Sequence, residues 1–207
     1  MVTAVFLGFG LTLLVVRDAY TGQGPYDFLA WNAFLAWIPY ALAALVGAGR
    51  RRFIPLYVLG LGAVAWLLFL PNALYIVTDF VHLGDIRGMP LWFDAAMIGS
   101  FACAGLLLGF ASLHRMQSVA RSFGSAVAWS FTFGALGLST VGIYLGRVLQ
   151  LNSWDAVFRP GRVASGLLAT IADPASHSGA LAKTALVGTV LVLSYVAAYL
   201  ASAHRAT

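Results

Sequence analysis

Six long apolar runs dominate this sequence, at residues 2–16, 28–48, 53–70, 91–113, 124–149 and 180–201. A helix needs about 20 apolar residues to cross the hydrocarbon core of a bilayer, with about 17 as the lower limit. The runs therefore predict an all-α integral membrane bundle of about six transmembrane helices. The fourth run carries Gly105 and Gly109, and glycines four residues apart permit close helix contact. No internal repeat or long polar segment is visible, so we predict a single transmembrane helical domain over residues 1–207.

The composition is that of a membrane protein and argues against a nucleic-acid-binding protein. Charged residues make up 9% of the chain, whereas soluble domains carry roughly a quarter. The net charge is +5, but no basic patch carries the interleaved aromatic residues of a nucleic-acid surface. Cys103 is the only cysteine, which excludes an intrachain disulfide. The expected partners are the lipid bilayer and either a second copy of the chain or another membrane complex.

The arginines predict the orientation of the chain. Six of them follow the second, fourth and sixth runs, as Arg50, Arg51, Arg52, Arg115, Arg121 and Arg205. The opposite side has Arg17, Arg87 and a long loop with Arg159 and Arg162, and long loops count less. Short cytoplasmic loops of membrane proteins carry an excess of basic residues. We therefore predict an inner-membrane protein with both termini in the cytoplasm. The third and fifth runs then end on the outer face.

A polar stripe marks the end of the third run. Pro71 interrupts this run, so we predict a proline-broken third helix, either kinked or restarted as a short second helix. Asn72, Tyr75, Asp79 and His82 follow at steps of three, four and three residues. In an α-helix this spacing places all four side chains on one face. Polar groups within an apolar membrane helix indicate a site or a contact inside the bundle.

Two further chain segments bring polar side chains to the same outer side. The loop after the stripe contains Asp85 and Arg87. The start of the fourth run adds Trp92 and Asp94, and the end of the fifth run with the segment after it adds Tyr144, Arg147, Trp154 and Asp155. Tyr144 and Arg147 are three apart, so they share a helix face. A structural interpretation is also open, in which Asn152 or Ser153 caps a new helix and Asp155 lies in its first turn.

These motifs resemble those of a family of bacterial membrane proteins, domain of unknown function 1361. The resemblance rests on Pro71-Asn72-x-x-Tyr75-x-x-Thr78-Asp79-x-x-His82-Leu83, on Pro90-x-Trp92-x-Asp94, on Gly142-x-Tyr144-x-Gly146-Arg147 and on Asn152-Ser153-Trp154-Asp155. It covers nearly the whole chain. The resemblance implies a multi-pass membrane fold and supplies no activity.

The polar residues allow two enzymatic hypotheses. Asp79, His82, Asp94 and Asp155 would hold a divalent metal ion that activates water against a lipid-linked ester or phosphate. Without a metal, Asp79 would orient His82 as an acid-base group, and Arg147 would stabilise an anion on the substrate. In both hypotheses the substrate lies against Asn72, Tyr75, Trp92, Tyr144 and Trp154.

Two other classes of function remain open. A proline-broken helix with polar groups at the break is also how many transporters build a binding site. Alternatively, the polar residues pin helices together, and the protein is a structural or assembly partner in a membrane complex.

Overall fold

The computed structural model describes residues 1–84 and 88–204, and in these residues it contains helices and no strand. The α-helices are α1 (Val2–Thr21), α2 (Phe28–Arg51), α3 (Leu56–Tyr75), α4 (Leu91–Ala120), α5 (Ser125–Arg147), α6 (Asp155–Phe158), α7 (Pro160–Ala172) and α8 (Ser178–His204). Two 3-10 helices follow α3 and α4, at Ile76–His82 and Arg121–Phe123. Asp85, Arg87 and Arg205 lie outside the described residues.

Six of the described helices are long and apolar enough to cross a membrane. They are Val2–Thr21, Phe28–Arg51, Leu56–His82, Leu91–Phe123, Ser125–Arg147 and Ser178–Ser202, and the 3-10 helices extend two of them. The predicted class, a helical membrane bundle with about six spans, is confirmed. Helices of this kind place the chain in contact with the lipid bilayer.

The first helix is longer than its apolar run. It continues through Arg17 and Asp18 to Thr21, and it ends at Gly22, which has a φ of 68° and donates its N–H to the carbonyl of Asp18. This left-handed conformation is common at helix ends because glycine lacks the Cβ that would clash there. One consequence is that Arg17 is a helical residue inside the first span.

The predicted close contact of the glycines on α4 is confirmed. A Cβ added to Gly105 would lie 2.7 Å from the carbonyl oxygen of Ala73, and one added to Gly109 would lie 2.8 Å from Leu74. Only glycine permits so close an approach of two helix backbones. The glycines therefore fix α4 against the last turns of α3.

The contacts divide the chain into two compact units, residues 1–116 and the residues from 117 onward. The core of the first unit includes the buried side chains of Tyr26, Leu29, Met97 and Phe101. In the second unit α5 packs along α8. The prediction of a single domain stays a prediction.

The break in the third span falls later than the sequence suggested. The α-helix continues past Pro71 to Tyr75, and the backbone then tightens into a 3-10 helix from Ile76 to His82. Proline removes only one backbone hydrogen bond, and the loss at this position does not end the helix. The hydroxyl of Thr78 donates to the carbonyl of Tyr75 over 2.6 Å, within the tighter turn.

Candidate functional site

A buried ion pair joins α1 to the first turn of α4. The Nε atom of Arg17 donates to Oδ1 of Asp94 over 2.8 Å, and its Nη2 atom lies 3.4 Å from Oδ2. The two side chains are 0% and 2% exposed. A guanidinium and a carboxylate that meet through two atoms each form a strong, oriented contact. This pair therefore locks the end of the first span to the start of the fourth.

Tyr26 extends this contact to the 3-10 helix. The Cζ atom of Arg17 lies 4.5 Å from the centre of the Tyr26 ring, a distance at which a cation is attracted to an aromatic face. The Tyr26 hydroxyl donates to the backbone carbonyl of His82 over 2.9 Å. The His82 ring in turn meets the ring of Phe28 edge-on, with 5.2 Å between the centroids.

Asp79 is held by α2. The side-chain amide of Asn32 donates to Oδ2 of Asp79 over 3.0 Å, and Asp79 is 1% exposed. A carboxylate buried to this degree requires hydrogen-bond donors to remain in place. Asn32 supplies one such donor from a helix that the polar stripe did not implicate.

The change to 3-10 geometry divides the predicted stripe. Residues three apart lie in line in a 3-10 helix, because it has three residues per turn. Asp79 and His82 therefore share one edge of the helix Ile76–His82. Tyr75 precedes Asp79 by four residues, so the two directions differ by about 120°. The prediction that Asn72, Tyr75, Asp79 and His82 share a single face is wrong for this reason.

Two other predicted residues of the first unit make contacts with residues close to them in the chain. The Asn72 amide donates to the carbonyl of Phe69 in the preceding turn, over 3.2 Å. Trp92 is exposed at the start of α4, where its ring meets that of Phe93. Tryptophan is common at the boundary between lipid and water. The substrate-binding roles given to Asn72, Tyr75 and Trp92 stay predictions.

In the second unit, Tyr144 and Asp155 are both buried. The hydroxyls of Tyr144 and Thr170 lie 3.0 Å apart, which ties α5 to α7. Oδ2 of Asp155 accepts the backbone N–H of Asn152 over 2.7 Å. Asp155 lies in the first turn of α6 as predicted, where a negative charge is favoured by the helix dipole.

The prediction that Asn152 or Ser153 caps α6 with its side chain is wrong. Trp154 occupies the cap position, and no side chain caps the helix there. The contact instead runs backward, from the Asn152 N–H to the Asp155 carboxylate. The Asp155 carboxylate thus accepts an N–H group that lies before the cap residue, which holds the preceding turn against the start of the helix.

The structure therefore links the predicted residues in two separate sets. Asp79, His82 and Asp94 belong to the first unit, whereas Tyr144, Arg147, Trp154 and Asp155 belong to the second. That the two sets share one pocket stays a prediction. No three His, Cys, Asp or Glu side chains among the described residues form a group that could hold a metal ion, and the metal site at Asp79, His82, Asp94 and Asp155 also stays a prediction.

Sequence reasoning missed three partners, which are Arg17, Tyr26 and Asn32. Arg17 had a usable signal, since it directly follows the first apolar run. An arginine inside a span requires a partner or an escape to water. Asn32 and Tyr26 carried no comparable signal, because single polar residues near a helix start are common.

Six membrane-length helices with polar contacts between them define a multi-pass helical membrane protein. The chain belongs to the family described as "Protein of unknown function (DUF1361)", whose model matches residues 31–200. Comparisons with curated proteins and with solved structures find no match. The matched range begins inside α2. Asp79 and Asp94 thus fall within it, whereas Arg17 and Tyr26 precede it.

Proposed function

We propose that this protein is a structural or assembly component of a membrane complex, and that its polar residues form a clasp. The polar clasp consists of Arg17, Tyr26, Asn32, Asp79 and Asp94. One observation carries the proposal. Both carboxylates are at most 2% exposed, and each accepts a hydrogen bond from an earlier helix. A carboxylate that is buried and hydrogen-bonded in this way contacts a neighbouring helix, and a substrate would have to displace that contact to reach it.

The energetics favour a clasp. Removing one partner of a buried ion pair costs about 3–5 kcal/mol, because the other charge is left without compensation. Hydrogen bonds between membrane helices contribute less, on average about 0.6 kcal/mol. The Arg17–Asp94 pair therefore contributes most to the stability of the clasp, and the Asn32–Asp79 contact contributes less. With its polar interior engaged in this way, the protein would meet partners through its outer helix faces.

Variants of Asp79 and Asn32 test the clasp. Asp79→Ala and Asn32→Ala should each lower the thermal stability of the purified protein in detergent and its level in the membrane. The double variant should lose less stability than the sum of the two single losses, because both substitutions remove the same contact. Gln23→Ala is the control, since Gln23 is an exposed polar residue between α1 and α2. Unchanged melting temperatures for Asp79→Ala and Asn32→Ala would contradict the proposal.

An acid-base enzyme is the second candidate, and the position of His82 favours it. His82 is only partly buried, and it shares an edge of the 3-10 helix with Asp79. An imidazole reachable from outside, next to a buried carboxylate, fits an acid-base pair acting on a lipid-linked or small substrate. In that case His82→Ala abolishes activity without lowering the melting temperature. Elemental analysis of the purified protein tests the metal-dependent form of this candidate.

We further propose a bacterial inner-membrane location with both termini in the cytoplasm. The exposed run Arg50–Arg51–Arg52, where α2 ends, supports this orientation. A cysteine at Gln23, exposed between α1 and α2, tests it in a Cys103→Ala background. A membrane-impermeant thiol reagent should label this cysteine in intact cells. Labelling only after lysis would reverse the orientation.

A further inference from the structure

The segment between the last two spans begins and ends at the same membrane surface. It contains α6 and α7 and connects the end of α5 to the start of α8, both of which are span helices. The 13 residues of α7 extend about 20 Å. This is less than the roughly 30 Å of a hydrocarbon core, so α7 does not cross the bilayer.

Contacts with the end of α5 fix the depth of α7. A Cβ added to Gly166 would lie 2.7 Å from Cδ1 of Leu149. One turn further along, the Thr170 hydroxyl lies 3.0 Å from that of Tyr144. Tyr144 is in the last turn of α5, and Leu149 follows that helix. The side of α7 that faces the protein is therefore held at the level where the fifth span ends.

Gly166 and Thr170 mark the face of α7 that contacts the protein. The two flanks beside this contact face differ in polarity. Leu168 and Ile171 are 65% and 73% exposed and lie on one flank. Arg162 and Ala169 are exposed on the other flank, and Ser165 is exposed between the two flanks. With 3.6 residues per turn, Leu168 and Arg162 point about 120° apart around the helix, and Ile171 and Arg162 about 180° apart. One flank is thus suited to hydrocarbon and the other to water.

We propose that α7 lies in the membrane–water interface as an amphipathic helix that binds phospholipid. Leu168 and Ile171 enter the boundary of the acyl chains, and Arg162 meets the lipid phosphates. Arg162 matches these phosphates in charge, and guanidinium groups bind phosphate well. Phe158, 79% exposed at the end of α6, adds a second apolar anchor beside α7. Amphipathic helices with this division of residues lie in the interface plane, their apolar face about 5–10 Å deep.

Spin labelling tests this placement directly. Single cysteines replace Leu168, Ile171 or Ala169 in the full-length Cys103→Ala protein, and each carries a nitroxide in phosphatidylcholine vesicles. Collisions with oxygen, which concentrates in lipid, and with a water-soluble nickel chelate then report the depth of each label. Leu168→Cys and Ile171→Cys should be accessible to oxygen and shielded from nickel, at about 5–10 Å below the phosphates. Ala169→Cys, which points about 160° from Ile171, should show the reverse preference.

Two results would overturn the proposal. Equal access of nickel to all three labels would place α7 in water, away from the bilayer. Shielding of all three labels from both reagents would mean that a protein surface, such as a second copy of the chain, covers the helix. All three positions are exposed, so the substitutions should leave the melting temperature of the parent unchanged. The test is independent of the polar clasp, whose residues all belong to the first unit.

Discussion

Replacing Asp94 by leucine should destabilise the protein strongly. The substitution leaves the guanidinium of Arg17, which is 0% exposed, without its carboxylate partner. Breaking a buried pair on one side costs about 3–5 kcal/mol. For a chain of this length, 1 kcal/mol corresponds to roughly 2–4 °C. Asp94→Leu should therefore lower the melting temperature by roughly 6–20 °C.

The double variant separates the ion pair from other effects of the substitution. Replacing both partners by apolar residues of similar volume is often neutral or even stabilising. Arg17→Met combined with Asp94→Leu should therefore recover most of the loss. It also gives up the contact of Arg17 with the Tyr26 ring, worth about 0.5–2 kcal/mol. We expect a coupling energy of several kcal/mol between the two sites.

Thermal unfolding in detergent, followed by near-ultraviolet circular dichroism, measures all four members of this cycle. Arg51→Met is the matched control, because Arg51 is exposed in the last turn of α2. Surface substitutions of this kind change stability by at most about 0.5 kcal/mol. A melting temperature of Asp94→Leu within the range of this control would refute the reasoning. So would a double variant whose loss equals the sum of the two single losses.

Three smaller perturbations test other contacts. Gly105→Ala should lower the melting temperature, by an overpacking cost of about 1–3 kcal/mol, because its Cβ would lie 2.7 Å from a backbone oxygen; Gly137→Ala, with open space around its Cβ, should instead leave stability unchanged or raise it. Tyr144→Phe should cost about 1 kcal/mol in the same assay, and Thr170→Val should add little to it, since the two hydroxyls bond to each other. The pKa of Asp173 lies below its usual value, chiefly because the carboxylate accepts a backbone N–H three residues along the chain. The contribution of this turn to stability is thus present above the unfolded pKa of about 3.9 and is lost as the pH falls through the lower folded value, which a carboxyl NMR titration would detect.

The spans could be predicted from the sequence because hydrocarbon selects for length and polarity alone. The apolar runs locate all six spans, and the spacing of Gly105 and Gly109 correctly predicts a close helix contact. The helix ends were less predictable. The first apolar run stops before Arg17, yet α1 continues to Thr21. A charge ends an apolar run, but it does not end a helix when a partner 77 residues away compensates it.

The candidate site was harder to predict because a polar residue in a membrane shows that it needs a partner without showing which one. The sequence singles out Asp79 and Asp94, but it leaves open whether they bind a metal ion, a substrate or another helix. Membrane depth narrows the choice of partner. The first span ends, and the fourth begins, at the same surface, because the spans alternate in direction along the chain. Arg17 and Asp94 are therefore at similar depth, and each is costly alone. Pairing opposite charges by depth therefore makes Asp94 a candidate partner of Arg17, alongside Asp79 and Asp155, and the packing of the helices decides among them.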